Sequence, residues 1–141
     1  MYEKSIDIIV FSCDLDFFNE IKVLLENVGI NSISYTDNTM EAAELLGHSD
    51  SKVMIYDSLY GNNETRKLIY SGICSADNAY CIYVCERRDE ELFGGNQPKI
   101  IRLNRPYTMQ CFYEAVLRLT YNLRSQRRPP DKTDFKNRSE E

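Results

Sequence analysis

The run Tyr80-Cys81-Ile82-Tyr83-Val84-Cys85 carries no charge and does not alternate between apolar and polar residues. A short stretch that is apolar at every position suits a strand covered on both faces, and such strands belong to parallel sheets flanked by helices. Lys52-Val53-Met54-Ile55-Tyr56-Asp57 has the same strand-forming character and runs straight into a carboxylate. The turn formers Gly61, Asn62 and Asn63 follow it closely. In open α/β sheets, ligands and chemistry collect beyond the carboxyl ends of the strands. Asp57 therefore marks the centre of the expected site.

The remaining elements alternate around these two strands. Ile6 to Phe11 reads as a buried strand ending at Ser12-Cys13-Asp14. From Leu15 the period becomes helical through Phe17 or Phe18, Ile21, Leu25 and Val28, with Asp14 as N-cap and Gly29 as C-cap. Asn31 to Tyr35 is a short second strand. Asp37 or Asn38 opens a helix carrying Ala42, Ala43, Leu45 and Leu46 and stopped by Gly47. A third helix covers roughly Glu64 to Ser71, with Leu68 and Ile69 inward. After the Tyr80–Cys85 strand, Arg88 to Phe93 starts a helix that Gly94-Gly95-Asn96-Gln97-Pro98 ends quickly, so the fourth helix is short, irregular or absent. Lys99 to Leu103 is strand five. Asn104-Arg105-Pro106 is a turn compatible with a cis bond before Pro106. The last helix runs from about Thr108 to Leu123, with Met109, Phe112, Val116, Leu119 and Leu123 as its core stripe. The pattern predicts an α/β fold: a doubly wound (βα)5 unit with a five-stranded parallel sheet and helices on both sides.

The chain has 141 residues, net charge −5 and no apolar run near the length of a membrane span. A general nucleic-acid surface is not expected on that charge. Cys13, Cys74, Cys81, Cys85 and Cys111 form no Cys-x-x-Cys pair, and His48 is the lone histidine. Reduced thiols in a cytoplasm, rather than a zinc site, fit this pattern. From Arg124 to Glu141 the chain is charged and nearly devoid of apolar residues, Phe135 excepted, and reads as a disordered tail or linker. The expected division is therefore a domain over residues 1–123 and a tail over 124–141.

Over about residues 5–123 the chain resembles the CheY-like receiver domains of two-component response regulators. Four features carry the resemblance. Strand one ends in a polar cluster leading into an Asp-Phe-Phe helix with a Leu-Leu-Glu-Asn-Val-Gly ending; strand three ends in Asp57 with a Gly61 turn after it; strand four ends in a small nucleophilic residue, Cys85; strand five ends in Arg105-Pro106. The resemblance implies that Asp57 is the phosphoacceptor, served by Mg²⁺ and a fixed cation, and that the protein is regulatory rather than an enzyme.

The matching positions depart from the family's pattern in chemistry. The two adjacent acids that would hold the metal correspond to Ser12 and Cys13, neither a good Mg²⁺ ligand. Asp14 lies one residue on and turns onto the helix as a cap, unless it swings in to hold Mg²⁺ with Asp57. The family's Ser/Thr is Cys85, its Lys is Arg105 with a longer planar head, and the aromatic switch position is Arg102. Losing ~4 kcal/mol of metal assistance would slow phosphoryl transfer about a thousandfold. The expectation is an atypical receiver that acts as a protein interaction or dimerisation module, with weak or no Mg²⁺-dependent phosphorylation. In that case Asp57 is a relic carboxylate paired with Arg105.

The alternative is a working acceptor phosphorylated at Asp57 by a histidine kinase, as a stand-alone protein or as the front of a longer transcriptional regulator. A third reading makes Cys13 and Cys85 a redox pair, against the ordinary behaviour of buried cysteines as small hydrophobes. Tyr113, Leu117 and Tyr121 lie off the core face of the last helix. They form a candidate partner or homodimer surface on the side of the fifth strand and fifth helix, or else pack under a neighbouring loop. The implied partners are a histidine kinase or an output domain, with no membrane and no direct nucleic-acid contact.

Overall fold

The computed structural model describes residues 6–48, 50–59, 62–86 and 98–127. Five strands and four helices alternate among them: β1 Asp7–Phe11, α1 Leu15–Glu26, β2 Ile33–Thr36, α2 Thr39–Leu46, β3 Lys52–Asp57, α3 Asn63–Ser75, β4 Ala79–Cys85, β5 Ile100–Asn104 and α4 Met109–Arg127. The strands form one parallel sheet in the order β2-β1-β3-β4-β5. Every residue of β3 and β4 is buried, as their uninterrupted apolar character requires.

The side chains of each strand divide between two cores. Ile8, Val10, Val53, Ile55, Ile82 and Val84 meet α1 and α4 on one face, through Phe17, Ile21, Leu25, Phe112, Val116 and Leu119. Ile9, Phe11, Met54, Tyr56, Cys81 and Tyr83 meet α2 and α3 on the other, through Ala42, Leu46, Ile69 and Ile73. Phe11, Tyr56 and Tyr83 stand side by side on three neighbouring strands, with ring centroids 5.1 and 5.5 Å apart. α2 and α3 pack closely at Gly72, where a Cβ would come within 2.9 Å of Leu46.

Two lysines close the amino-terminal end of the sheet. Lys52 Nζ donates to the carbonyls of His48 and Asp50, and Lys99 Nζ donates to those of Ile73 and Ala76. These carbonyls follow or end α2 and α3, where unpaired C=O groups need donors. Burial lowers the pKa of both amines.

Several side chains depart from the expected faces. Leu68 is exposed; Ile69 and Ile73, four residues apart, fill the inward face of α3. One residue is a 100° step on a helix, so Leu68 falls outside that stripe. Met109 is also exposed, because it is the first residue of α4 and precedes the packed face formed by Phe112, Ala115, Val116, Leu119 and Leu123. Val28 lies beyond the end of α1, which caps at Asn27, and is exposed. Gly29 follows in the left-handed region, with φ +85°. α3 continues to Ser75, and α4 continues past Leu123 to Arg127. The expected short fourth helix, at 88–93, and residues 128–141 lie outside the described residues.

Candidate functional site

Asp57 ends β3 at the carboxyl edge of the sheet. Register pairs it with Val84 on β4, while the preceding Tyr56 pairs with Phe11 on β1. The loops after β1, β3 and β5 therefore converge on its carboxylate. That carboxylate is 3% exposed and is gripped from three directions. Ser12, just past β1, donates its hydroxyl to Oδ2 at 2.7 Å. The backbone N–H of Leu59 donates to Oδ1 at 3.0 Å. Arg105, just past β5, donates Nη2 to Oδ1 at 2.8 Å and forms an ion pair.

Arg105 is itself held in place. Its backbone N–H donates to Cys85 O at 2.8 Å. Nη1 reaches Val84 O at 3.4 Å, and the guanidinium carbon lies 5.5 Å from the centre of the Phe17 ring, a distance at which a cation gains from the ring face. The bond to Pro106 is cis. Arg105 is 21% exposed and borders an open cleft of about 440 Å³ that Phe17, Glu20, Glu86, Pro106 and Tyr107 also line. Burial raises the pKa of the Tyr107 phenol. The Glu20 charge adds to the rise and Arg105 opposes it.

Asp14 does not point to Asp57. Its Oδ1 accepts the backbone N–H groups of Asp16 and Phe17 at 3.0 and 3.3 Å, as the N-cap of α1. The Asp14 N–H in turn donates to Ser12 Oγ at 3.0 Å, so the hydroxyl that holds Asp57 also fixes the start of the helix. Cys13, between them, is exposed.

These residues do not fit the Mg²⁺ that the fold family implies. The ion demands several hard oxygen ligands in near-octahedral geometry. Here Asp57 brings one carboxylate whose two oxygens are already paired, Cys13 offers sulfur, and Asp14 is committed to the helix. Among the described residues no three His, Cys, Asp or Glu side chains come together as a metal-holding group.

The other expected positions are placed as follows. Cys85 is buried, and its thiol donates to Asn104 Oδ1 at 3.2 Å across the β4–β5 pair. Cys13 and Cys85 thus have different surroundings, one solvent and one core. Arg102 is half-buried on β5 and pairs in register with Tyr83. Tyr113, Leu117 and Tyr121 do not behave alike. Tyr113 turns down beside α1, where its hydroxyl donates to Leu24 O at 2.9 Å and its ring meets Phe112. Leu117 and Tyr121 stay exposed, at 59% and 70%. Tyr113 thus lies on the α1 side of α4, while Leu117 and Tyr121 face outward. Leu59 N–H and the Phe17 ring join the site without a sequence signal of their own. A backbone donor has none, and Phe17 reads simply as core.

No protein-family model matches this sequence, and no curated protein matches it. Solved structures do. The signal receiver domain of an HD domain-containing protein from Pseudomonas fluorescens superimposes with a TM-score of 0.75 at 15% identity, over 92% of this chain and 97% of that one. A CheY-like response regulator receiver domain protein from Methanospirillum hungatei gives 0.67 at 16% identity, over 84% and 97%. The anti-anti-sigma factor PhyR from Bartonella quintana gives 0.64 at 9% identity, over 87% of this chain and 50% of that one. With the β2-β1-β3-β4-β5 sheet and Asp57 at its carboxyl edge, the chain has the fold of the response-regulator receiver domains.

Proposed function

We propose that this protein is an atypical receiver domain: a regulatory module of two-component signalling that works by binding a protein partner, with little or no Mg²⁺-dependent phosphorylation. The observation that carries the reading is the Asp57–Arg105 ion pair at 2.8 Å. A phosphoacceptor carboxylate must present a free oxygen to phosphorus, and transfer needs a cation over the incoming phosphoryl oxygens. At this site one guanidinium neutralises the carboxylate directly. Ser12 occupies the other oxygen, and Asp14 caps a helix. The partner is a histidine kinase or an output domain, met through the surface of the fold rather than through phosphate at Asp57.

The test is a small phosphodonor with Mg²⁺, followed by intact mass. The expected result is no phosphoryl adduct over the time in which an ordinary receiver is fully modified. An adduct that forms within minutes and disappears in Asp57→Asn would establish the alternative, a working acceptor at Asp57.

A further inference from the structure

The amino-terminal edge of the sheet, opposite the edge that holds Asp57, carries a cleft of about 410 Å³ between the ends of α2 and α3. Its apolar lining is Ala43, Leu46, Gly47, Gly72 and Ala76. Among these only Leu46 is large, and it is buried. α2 and α3 touch where Gly72 meets Leu46, and the small residues beside that contact leave the gap open. A cavity of about 150 Å³ already takes a benzene ring, so this cleft has room for an aromatic side chain.

The charge around it suits a basic guest. Both helices end here, α2 with Gly47 as its C-cap and α3 with Ala76. Neither has a basic residue in its last turn, and helix C-termini carry partial negative charge. Lys52 and Lys99 answer the carbonyls of His48, Asp50, Ile73 and Ala76. Two exposed acids add full negative charges: Glu44, on the last turn of α2, and Asp77, which lines the cleft and also attracts Lys99.

The chain itself holds a segment of matching chemistry. α4 follows β5 and runs back against the strands, so it ends at this same edge. Leu123, one turn before that end, shares a core with Ile6 and Tyr80, near the starts of β1 and β4. In 128–141, Phe135 is the one aromatic residue, and 132–138 set three bases, Lys132, Lys136 and Arg138, against one acid, Asp134. The cleft and α4 lie over opposite faces of the sheet. Layers pack about 10 Å apart, so passing under the edge from one helical layer to the other spans about 20 Å. The eight residues 128–135 reach about 26–29 Å when extended, which covers that span.

We propose that residues 132–138 dock on their own domain, with the Phe135 ring in the α2–α3 cleft and Lys132, Lys136 and Arg138 beside Glu44, Asp77 and the two helix ends. The cleft is at the far end of the strands from Asp57, so this docking stands or falls apart from the reading of that site.

The experiment is NMR of the full 141-residue chain, on wild type, Phe135→Ala and the double reversal Lys132→Glu with Lys136→Glu. The Phe135 ring protons are the aromatic signals that vanish in Phe135→Ala. In wild type they should show NOEs to the methyls of Ala43 and Leu46, undiminished by about tenfold dilution. Phe135→Ala should move the amide signals of Gly47, Gly72, Ser75 and Ala76 and leave those of Ser12 and Asp57 in place, which also shows that the variant folds. The double reversal should weaken the NOEs about twofold or more, because it sets like charges together. Cleft amides that coincide in wild type and Phe135→Ala, with no NOE from the ring, would overturn the proposal. So would NOEs that fade on dilution, which would put a second copy's segment in the cleft, or NOEs that the double reversal leaves at full strength.

Discussion

Arg105→Met isolates the interaction on which the site is built. The substitution keeps an unbranched aliphatic side chain and removes the guanidinium, with its ion pair to Asp57 and its place 5.5 Å from the centre of the Phe17 ring. Asp57 is then a 3%-exposed carboxylate left with the Ser12 hydroxyl and the Leu59 N–H as donors. Removing one partner of a buried ion pair typically costs about 3–5 kcal/mol, most of it from the charge left uncompensated. Arg105 is 21% exposed, so water screens the pair and can approach the orphaned carboxylate. The expected loss is therefore about 2–3 kcal/mol. Urea unfolding followed by circular dichroism measures it. At the slope usual for a small domain, the midpoint should fall by about 1–2 M. Asp57→Asn and the double variant complete the cycle, and the double should be less destabilised than the two singles summed by about 2 kcal/mol. A loss below ~0.5 kcal/mol for Arg105→Met, within the range of ordinary surface changes, would refute the reasoning.

Two further outcomes follow from the structure. Burial pushes the pKa of Tyr56 far up, against the opposing charge of Arg66 and with Tyr83, Cys81 and Asp57 adding. The unfolded chain releases this proton near pH 10 while the folded chain retains it. Stability should thus be unaffected by this group below about pH 10 and fall above it, by about 1.4 kcal/mol per pH unit, and Tyr56→Phe should lessen that slope. Asp14→Ala should cost about 1 kcal/mol, the usual loss of an N-cap, measured by thermal unfolding, with the response to Mg²⁺ unchanged.

The sheet was legible because β3 and β4 are buried throughout, and no amphipathic alternative accommodates Tyr80–Cys85 or Lys52–Asp57. The same reading located Asp57 and Arg105 at the ends of strands on either side of β4, close enough for a long cationic head to reach the carboxylate. Asp14 was legible as a cap from its place ahead of a helical period. What the sequence left out is set by contacts between distant elements. Periodicity puts Tyr113 off the core stripe of α4 but does not say which helix lies beside it; the partner, Leu24 O, is 89 residues away in sequence. Leu68 and Met109 are apolar residues within one helical step or at the first turn of a buried stripe, where composition alone does not separate inward from outward. In the sequence, Ser12 reads as a poor metal ligand. Its bond to Asp57, and the Asp14 N–H it accepts, depend on how the chain turns after β1.

The central question is whether the carboxylate at the mouth of the sheet is held by the protein's own donors in place of a divalent ion. A titration of the folded protein with MgCl₂, read by the backbone amide NMR shifts of Ser12, Cys13, Asp57, Ser58 and Leu59, addresses that directly. The expected result is no saturable movement of these signals beyond the drift that equal ionic strength of NaCl produces. Saturable shifts centred on these five residues, abolished in Asp57→Asn, would contradict it.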